Sequence, residues 1–470
     1  MKVLLLNLNY RTKLGSSEKI SSVLPPLGLA YLAAVLRKNL VDTEIIDMNA
    51  CDYSEEDITH ILGKGDVQIV GITATTPTIL KAFSIAKKIK ENYSKIITIL
   101  GGPHPTSLPY GSIKNKSVDL VAIGEGEKTL LEVCNALKNK KSFKGIQGLL
   151  FKKNGKIIFN KPRELIKNVD NIPFPAIDLL PSDKYYSAYS KQKKFANILT
   201  SRGCPGRCVY CNKLIFGCNV RMRSAENIIQ EIKMLYNQGY RDFHIVDDLF
   251  TQNRERVIKF CNLLKKENLK VSWKLGNGVR VGSVDFELLK LMKSVGLYSL
   301  SYGIESGNQE ILNRMKKGQT LQMCRNAVNW SSKLGLFTVG FFMIGNLGEN
   351  EKTIQETIEF AKSLPLDVAQ FSILVPFPGT EIRAIIEKEG KILEKDWSKY
   401  DNIEGKAFFE HGQLTKELME RMHKKAYKEF YMNPRFILRR LLKTRTLNEL
   451  NQQFVGFVTI LGLLINRKRK

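Results

Sequence analysis

The sequence predicts an α/β protein: a five-stranded, doubly wound parallel sheet, then a partial (β/α)6 barrel and a helical C-terminal tail. Three observations support this. Strand-like and helix-like segments alternate from residue 2 to about 140, they alternate again from 195 to 375, and a Pro-bearing connector around Ile172-Pro173-Phe174-Pro175 separates the two runs. With 470 residues, 43% of them hydrophobic, the chain is neither disordered nor fibrous.

The first run predicts a Rossmann-like domain. Its short apolar segments are typical of buried parallel strands, and the segments between them repeat apolar residues at helical spacing. The predicted strands are Lys2 to Leu8, Thr43 to Asp47, Val67 to Thr73, Ile96 to Leu100 and Leu120 to Ile123. The predicted helices are Pro26 to Leu36, Ser54 to Leu62, Ile79 to Asn92 and Glu127 to Leu137. A β-hairpin is expected at Gly148 to Phe159, around Asn154-Gly155.

The second run predicts six βα-type units of a partial, TIM-like barrel. The expected strands are 195–200, 242–246, 270–275, 297–303, 337–344 and 369–375. The expected helices are 225–237, 254–267, 286–294, 324–333 and 353–363. We therefore divide the chain into a first domain (1–145), a hairpin and linker (146–194), a barrel (195–410) and a tail (411–470).

The charge balance points to an acidic partner. Lys and Arg number 73 against 46 Asp and Glu, which gives a net charge of +27. Nucleic acid, an anionic membrane surface and a phosphate-bearing ligand all fit that balance. The eight cysteines are unevenly spaced and no secretory signal is visible, so we expect a reducing, cytosolic setting rather than a disulfide framework.

Small and hydroxyl residues follow the strands of the first domain, where ligands bind in doubly wound sheets. Such residues let a backbone approach a phosphate-bearing group, although ordinary βα turns explain each of them singly. The candidate binding residues are Thr73, Thr75, Thr76, Gly101, Gly102, Gly124 and Glu125. Asn7-Leu8-Asn9-Tyr10-Arg11 follows the first strand in place of Gly-x-Gly-x-x-Gly, so a standard dinucleotide site is not expected.

A cysteine cluster opens the barrel. Cys204, Cys208 and Cys211 lie on a Gly/Pro loop directly after a strand, so three thiols can converge on one metal centre. Three ligands suit a 4Fe-4S cluster with one iron left free for substrate, whereas structural zinc sites have four protein ligands. The alternative is a zinc site completed by Cys218 or His244.

The Cys-x-x-x-Cys-x-x-Cys spacing, with Tyr210 immediately before the third cysteine, resembles the radical S-adenosylmethionine (SAM) superfamily. Further segments resemble its cobalamin-binding class over roughly residues 1 to 410. In the barrel they are Arg221-Met222-Arg223-Ser224, Asp247-Asp248-Leu249-Phe250-Thr251, Gly303-Ile304-Glu305-Ser306-Gly307, Gly345-Asn346-Leu347-Gly348-Glu349 and Pro376-Phe377-Pro378-Gly379-Thr380. In the first domain they are Pro25-Pro26-Leu27-Gly28-Leu29-Ala30, Gly101-Gly102-Pro103-His104 and Gly124-Glu125-Gly126-Glu127.

The resemblance implies roles for these residues. The three thiolates bind a 4Fe-4S cluster whose open iron chelates SAM, and reduction cleaves SAM to a 5'-deoxyadenosyl radical. Tyr210 is expected near the adenine, unless it is a simple core aromatic. Glu305 is expected at the ribose hydroxyls or methionyl ammonium, unless it forms an ion pair with a barrel arginine such as Arg280.

Two more SAM contacts are expected. Asp247 and Asp248 are adjacent on an extended segment, so only one should face the site, and we favour Asp247. Gly345 would let the backbone approach the adenine, although a tight turn also explains it.

Cobalamin, if bound, is expected without a histidine ligand from the loop after the first strand. Methionine synthase-like cobalamin domains carry Asp-x-His-x-x-Gly there, and this chain has no histidine before His60. A helix-entry or hydrogen-bonding role suits His104 better than ligation. Cys51, Cys134, Cys261 and Cys324 are expected to be small core residues, and the role of Cys218 is open.

The tail concentrates positive charge. Glu420 to Lys470 carries thirteen Lys and Arg and three Asp and Glu, for a net +10, and contains the apolar run Phe454 to Ile465 followed by Arg467-Lys468-Arg469-Lys470. Twelve helical residues span roughly 18 Å, too short to cross a bilayer. An interfacial membrane anchor and a helix packed on the barrel both fit; on the first interpretation an anionic membrane surface replaces nucleic acid as the expected acidic partner.

Taken with the resemblance, these features predict a cobalamin-dependent radical SAM enzyme that methylates an unactivated carbon of a lipid, tetrapyrrole or other small molecule. An external electron donor such as ferredoxin or flavodoxin is implied. The runner-up chemistry is radical cyclisation or rearrangement. A tRNA methylthiotransferase and a non-catalytic binding protein are further alternatives; the former needs three additional N-terminal cysteines, and only Cys51 and Cys134 precede residue 200.

Overall fold

The first domain is built on one twisted sheet. The computed structural model describes residues 1–9, 22–187, 190–400 and 405–443. The strands of the first domain are β1 Lys2–Asn7, β2 Asp42–Asp47, β3 Val67–Thr73, β4 Ile97–Gly101, β5 Leu120–Ala122, β6 Leu149–Lys153 and β7 Lys156–Phe159. They are ordered β2-β1-β3-β4-β5-β6-β7. The first five pair in parallel, as predicted, and the hairpin β6-β7 is added antiparallel to β5.

The added hairpin makes the sheet seven-stranded rather than five-stranded. Residues 149–159 therefore pack with the first domain, whereas the sequence analysis assigned them to the linker. The reason is that β5 would otherwise be an exposed edge, with a row of unpaired backbone groups that β6 now satisfies.

Helices cover both faces of this sheet. They are α1 Leu27–Lys38, α2 Met48–Cys51, α3 Glu55–Gly63, α4 Ile79–Asn92, α5 Pro103–Ser107, α6 Pro109–Lys114 and α7 Gly126–Lys138. Successive residues of β1 point to opposite faces: Val3 and Leu5 lie in the apolar core beneath α1, while Leu4 and Leu6 lie in the core beneath α4. Burial on both faces is what makes these strands continuous apolar runs in the sequence.

The barrel follows as a second parallel sheet. Its strands are β8 Phe195–Ile198, β11 Asp242–Ile245, β12 Ser272–Val279, β13 Leu297–Glu305, β14 Phe337–Ile344 and β15 Val368–Ile373, with the short pair β9 Ser201–Arg202 and β10 Arg221–Met222 inserted after β8. The order β15-β14-β13-β12-β11-β8 is that of an open, six-stranded partial barrel, as predicted. Every pairing in it is parallel.

The outer layer of the barrel is helical. The helices are α8 Ala225–Asn237, α9 Arg254–Lys266, α10 Phe286–Ser294, α11 Gln309–Arg314, α12 Leu321–Lys333, α13 Glu351–Ser363 and α14 Glu381–Glu389. The main core lies between these helices and the outward side chains of the strands, among them Trp273, Tyr302 and Phe342. The inward side chains face the barrel lumen.

The C-terminal part packs on both domains. A short pair, β16 Lys391–Ile392 and β17 Phe409–Glu410, precedes α15 Lys416–Tyr431 and α16 Pro434–Lys443. Helix α15 closes the open side of the barrel by packing on β15 and α13. The predicted apolar run 454–465 and the basic end of the tail lie outside the described residues. Within the part of the chain that is described, none of the helices combines the length and the apolar character that a membrane crossing needs.

Candidate active site

The cysteine loop is held at its base by the two-stranded pair β9-β10. Arg221 and Met222 pair with Arg202 and Ser201, so residues 203–220 form a closed excursion from the edge of the barrel. Gly203 begins it with φ +91°, and a Cβ there would lie 2.6 Å from the carbonyl oxygen of Asn219. Only glycine fits this close approach.

The three thiols gather around one stretch of this loop. A Cβ on Gly206 would lie 3.4 Å from the Cys204 sulfur and 3.8 Å from the Cys208 sulfur. The Cys211 thiol donates a hydrogen bond to Cys208, and this bond lowers the pKa of Cys208 to about 6. The same bond raises the pKa of Cys211, which keeps the proton, so Cys208 is the acidic thiol of this pair. Converging thiols of this kind are a donor set that suits an iron-sulfur cluster.

The zinc alternative is not supported by the positions of its extra ligands. His244 lies within β11, stacks on Phe195 with 4.3 Å between ring centroids, and its Nε2 is 2.9 Å from Ser190 Oγ. Cys218 is exposed on the loop. Among the described residues, no three Cys, His or carboxylate side chains lie close enough together to hold a single metal ion, so the three thiols are spaced too widely for one zinc ion.

Glu305 meets a partner that the sequence did not indicate. Its Oε1 lies 2.7 Å from the Nζ of Lys317, and Tyr210 donates a hydrogen bond of 3.2 Å to the same oxygen. The expected alternative partner, Arg280, instead donates to the carbonyl oxygens of Lys317 and Gly318. Glu305 also has φ +67°, a conformation costly for a residue with a side chain and common at functional sites.

Glu305, Lys317 and Tyr210 form a triad that also contacts the cysteine loop. Lys317 donates a hydrogen bond of 3.0 Å to the Tyr210 hydroxyl, and Glu305 and Cys208 both lie within hydrogen-bond reach of the single proton of that hydroxyl. Burial by itself lowers the pKa of Lys317, but the charges of Glu305 and the two thiols outweigh burial, and the net pKa is raised. A fixed cation and a fixed carboxylate therefore stand beside the thiols.

The adjacent aspartates face opposite ways, and the one expected at SAM is held by the strand ends. Asp247 is buried and accepts hydrogen bonds from the Thr200 amide at 2.5 Å and the Ser201 hydroxyl at 2.6 Å. Asp248 is the more exposed and accepts a bond from the Gly203 amide at the start of the cysteine loop. The Asp247 carboxylate is therefore engaged in supporting the strand ends rather than free to contact SAM.

Gly345 is explained by packing. Its φ is +99°, and a Cβ there would lie 2.9 Å from the Met419 sulfur on α15. The Gly345 amide donates a hydrogen bond of 2.7 Å to the buried carboxyl of Glu349. Close approach to α15 thus accounts for the glycine, and its contact with adenine stays a prediction.

The predicted edge of the first domain forms a compact cluster of loops. Gly102 has φ +99°, and a Cβ there would lie 2.8 Å from Thr73 Oγ1. Gly101, the last residue of β4, pairs with Thr73 of β3. After β5, the Gly124 amide donates a 3.1 Å hydrogen bond to the hydroxyl of Thr106 in α5. These crowded backbones fit a ligand that lies flat against the carboxyl ends of the strands.

His104 lies at this edge and is already hydrogen-bonded. Its Nδ1 is 3.2 Å from Thr76 Oγ1, and its ring meets the edge of Trp397 at 5.5 Å. Burial lowers the pKa of His104 to about 4, so the imidazole is neutral at pH 7. The neighbouring candidate Thr75 is more exposed than Thr76, and its hydroxyl oxygen lies 3.1 Å from the hydroxyl oxygen of Thr78. The hydrogen-bonding role expected for His104 is the one observed.

Glu125 was expected to contact a ligand at the strand ends, but it pairs with two arginines instead. Its carboxylate is 2.8 Å from Arg202 and 2.8 Å from Arg221, the two residues at the base of the cysteine loop, and Arg202 also pairs with Glu127 at 2.6 Å. All of these side chains are at most 9% exposed. Glu125 therefore joins the two domains, and its carboxylate is not free for cobalamin.

A second contact joins the domains on the other side of the loop. Asn212, directly after Cys211, donates a 2.6 Å hydrogen bond to Ser107, which ends the helix after Gly101-Gly102. The cysteine loop thus touches the candidate cobalamin edge itself.

Comparison with known proteins agrees with this arrangement. Residues 198–361 match the family model of the Radical SAM superfamily, and residues 17–134 match the B12 binding domain. An uncharacterized methyltransferase of Pyrococcus horikoshii is 39% identical over 418 residues, which cover 88% of this chain and 89% of the relative. The chain belongs to the cobalamin-binding class of the radical SAM superfamily.

Further relatives place this radical SAM enzyme among proteins of more than one chemistry. It is 29% identical to an anaerobic magnesium-protoporphyrin IX monomethyl ester cyclase of Rubrivivax gelatinosus, covering 93% of this chain and 78% of the cyclase. The structure of the cobalamin-dependent SAM radical enzyme OxsB, with aqua-cobalamin and SAM bound, superposes with a TM-score of 0.76 at 18% identity, covering 97% of this chain and 70% of that one. The predicted cofactors, a 4Fe-4S cluster, SAM and cobalamin, are those of this class.

Sequence reasoning missed three ion-pair partners at the candidate site of this radical SAM enzyme. Lys317 follows Glu305 by twelve residues with no spacing rule to connect them, and Arg202 and Arg221 flank the cysteine loop without any visible link to Glu125. The one available signal was the Arg immediately before Gly203-Cys204.

Proposed function

We propose that this enzyme transfers a methyl group to an unactivated carbon of a small molecule. The observation that carries the proposal is the meeting of the three-thiol loop with the Glu305–Lys317–Tyr210 triad, on a loop that also touches the first domain through Asn212 and Ser107. A substrate bound between the domains would lie near both the cluster loop of the barrel and the candidate cobalamin edge of the first domain. The relatedness to a methyltransferase at 39% identity supports methyl transfer.

The cofactors would be held by residues already described. The thiols of Cys204, Cys208 and Cys211 would ligate the cluster, and the loops at Thr73, Gly101 and Gly102 would lie against cobalamin. When bound, the reduced cluster supplies a 5'-deoxyadenosyl radical from SAM, and methylcobalamin supplies the methyl group to the substrate carbon. His104, buried between Thr76 and Trp397, would leave cobalamin without a histidine ligand from this edge.

The triad would bind the methionyl end of SAM. That end carries an ammonium and a carboxylate, and the site offers a carboxylate on Glu305 and an ammonium on Lys317. Charge-assisted hydrogen bonds of this kind are short and directional. Tyr210 would fix the orientation of both groups through its hydroxyl, and Asp248 is the acid nearest the start of the loop.

Electrons would come from an external donor such as ferredoxin or flavodoxin. Cys211 is exposed, which brings the cluster loop to the surface. Donors of this kind are acidic, and the chain carries a net charge of +27. All eight cysteines are free thiols, which fits the reducing cytosol where such donors occur.

Radical cyclisation is the second candidate, because the similarity to the ester cyclase extends over 93% of this chain. A methylthiotransferase is less well supported. The two cysteines before residue 200 lie on separate helices, and Cys134 is completely buried in the first core, where it cannot ligate a second cluster.

We also propose a peripheral membrane contact through the tail. The described helix α16 exposes Ile437, Leu438, Leu441 and Leu442 along one side, while Arg439 and Arg440 bond to the barrel on the other. An apolar stripe on a basic helix suits the interface of an anionic membrane.

The test is anaerobic reconstitution of three proteins: the wild type, Cys208→Ala and Cys218→Ala. We expect about four irons per chain and formation of 5'-deoxyadenosine in the wild type and in Cys218→Ala, and loss of both in Cys208→Ala. Trideuteromethyl-SAM should label the bound cobalamin and then the product. Iron near eight per chain, or 5'-deoxyadenosine from Cys208→Ala, would overturn the proposal.

A further inference from the structure

A row of polar side chains crosses the lumen of the barrel well below the cysteine loop. Asn197 of β8, His244 of β11, Lys274 of β12 and Ser299 of β13 are partners in the pairing register of these four strands. Their sequence neighbours, such as Ile198, belong to the outer core, so strand alternation turns the row toward the lumen.

The row is buried but its hydrogen-bonding capacity is not used. Asn197 is 6% exposed, and within the described residues its Oδ1 has no partner. Lys274 is 8% exposed and donates one bond of 3.0 Å, to Ser187, without an ion pair in the described part of the chain. A buried ammonium and a buried, unpartnered amide are costly unless a ligand satisfies them.

The charge around Lys274 leaves it available. Burial lowers its pKa to about 8, and Asp242 is the one acidic group that opposes this fall. The Asp242 carboxylate accepts bonds through Oδ2 from the amides of Lys191 and Gln192 and from the Tyr298 hydroxyl, while its buried Oδ1 has no hydrogen-bond partner among the described residues. The His244 Nε2 faces Ser190.

Open space connects this row to the SAM-binding triad. Two residues after Lys274, a Cβ on Gly276 would meet no atom within 4 Å. Two residues further, Gly278 faces Gly303, where a Cβ would lie 2.7 Å from Glu305 Oε1 and 2.8 Å from Lys317 Nζ. β12 bulges between Leu275 and Val279, but four regular residues of β13 separate Ser299 from Gly303, a distance of roughly 13 Å that matches the length of a small molecule.

The walls of this space differ in chemistry. Ser301 lies one step above Ser299 on the same face of β13, and its partner on β14 is Val339, followed on that face by Phe341. Donors therefore line one side of the lumen base and apolar side chains line the other. This combination suits a molecule with an apolar body and an oxyanion at one end.

We infer that the Asn197–Lys274–Ser299 row binds a carboxylate or phosphate group at the end of the substrate remote from the reacting carbon. This assignment rests on the proposed function, because it assumes a small-molecule substrate, but it concerns a set of residues separate from the Glu305–Lys317–Tyr210 triad. The Lys274 ammonium supplies the charge, and the Ser299 hydroxyl supplies a directed hydrogen bond. From Asn197 only the amide NH2 can donate to the anion, because the unpartnered Oδ1 is an acceptor. The apolar β14 wall holds the body of the molecule with its other end toward Glu305 and Lys317.

The probes are hexanoate, hexyl phosphate and the neutral hexanamide, titrated calorimetrically into anaerobic holoenzyme with SAM present. We expect saturable binding of at least one of the two anions and much weaker binding of the amide; the preferred anion identifies the group. Lys274→Met should weaken anion binding by about tenfold or more, since a charged hydrogen bond is lost. Lys270→Met, which removes an exposed lysine four residues earlier, should not.

A nearly isosteric variant, Asn197→Asp, places a negative charge beside the bound anion and should also weaken anion binding by about tenfold. It covers the case in which Lys274→Met does not fold. Anion affinity unchanged in a folded variant, hexanamide binding as tightly as the anions, or no binding of either anion would each overturn the inference. Formation of 5'-deoxyadenosine, measured in parallel, tests the proposed function alone, so the two can fail separately.

Discussion

The ammonium of Lys317 lies 2.7 Å from the carboxylate of Glu305, at the carboxyl end of β13. Their side chains are 13% and 10% exposed, so each is the main charge that the other meets. A zwitterionic ligand can replace this internal pair with two pairs of its own without leaving a buried charge unpaired. The amino-acid end of SAM is such a ligand.

Lys317→Met should weaken SAM binding by about tenfold to a hundredfold, because a charged hydrogen bond to the methionyl carboxylate is lost. Equilibrium dialysis of SAM against the reconstituted enzyme measures this. Lys316→Met is the matched control: its ammonium pairs with exposed Glu381 at 2.6 Å, away from the triad. Equal affinities in the two variants would contradict the assigned role.

Arg202→Met should destabilise the protein by about 3 to 5 kcal/mol, since it leaves Glu127 and part of Glu125 buried without their cation. Urea unfolding of the apoprotein checks this. Arg254→Met, which breaks a half-exposed pair with Asp285, should change stability by about 0.5 kcal/mol at most. A small effect at both positions would mean that the domains are not joined by this cluster.

His104→Ala should leave the electron paramagnetic resonance spectrum of bound cob(II)alamin unchanged. The His104 ring is 4% exposed, hydrogen-bonded to Thr76 through Nδ1 and packed against Trp397, so it is not presented to a cobalt ion. Loss of a nitrogen splitting in the variant would show that His104 ligates cobalt.

The contribution of Glu349 to stability should fall as the pH rises from about 5 to 8, whereas that of buried His104, whose pKa is lowered, rises in the acidic part of this range. Burial raises the pKa of this carboxyl from 4.5 to about 7, although the amides of Gly345 and Asn346 oppose the rise. The folded protein therefore holds a proton that the unfolded chain releases, and this stabilisation is complete below about pH 4.5 and lost as the pH rises through 7. Measured by urea unfolding against Glu349→Gln, which lacks the titrating carboxyl, the wild type should lose roughly 2 kcal/mol of stability over this range. Glu351→Gln, which changes an exposed carboxyl, should lose as much as the wild type.

Leu438→Asp combined with Leu442→Asp should reduce co-sedimentation with anionic vesicles, because both leucines are more than half exposed on α16. Truncation at Asn448, which removes the apolar run, should reduce it further. Leu40→Asp is the control, since Leu40 is 95% exposed on the first domain. Equal sedimentation of all these proteins would exclude the tail as a membrane contact.

The elements were predictable because their signals are local. Burial on both faces makes β1 and β3 continuous apolar runs, and helix periodicity marks α4 and α7, so the order of strands and helices follows from the residues. The hairpin at Asn154-Gly155 was equally local, but its attachment to β5 was not, since sheet edges are paired by residues distant in sequence.

The sequence alone determined the cysteine triad and the order of the two domains, because metal-ligand spacing and strand-helix alternation are written within short stretches of chain. Only the tertiary structure decided the charge pairs: Glu305 with Lys317, Glu125 with Arg202 and Arg221, and Asp247 with the strand ends instead of the site. The physical reason is that a buried charge must be neutralised by whichever group the fold brings within a few ångströms, and that group carries no mark of its partner in the sequence.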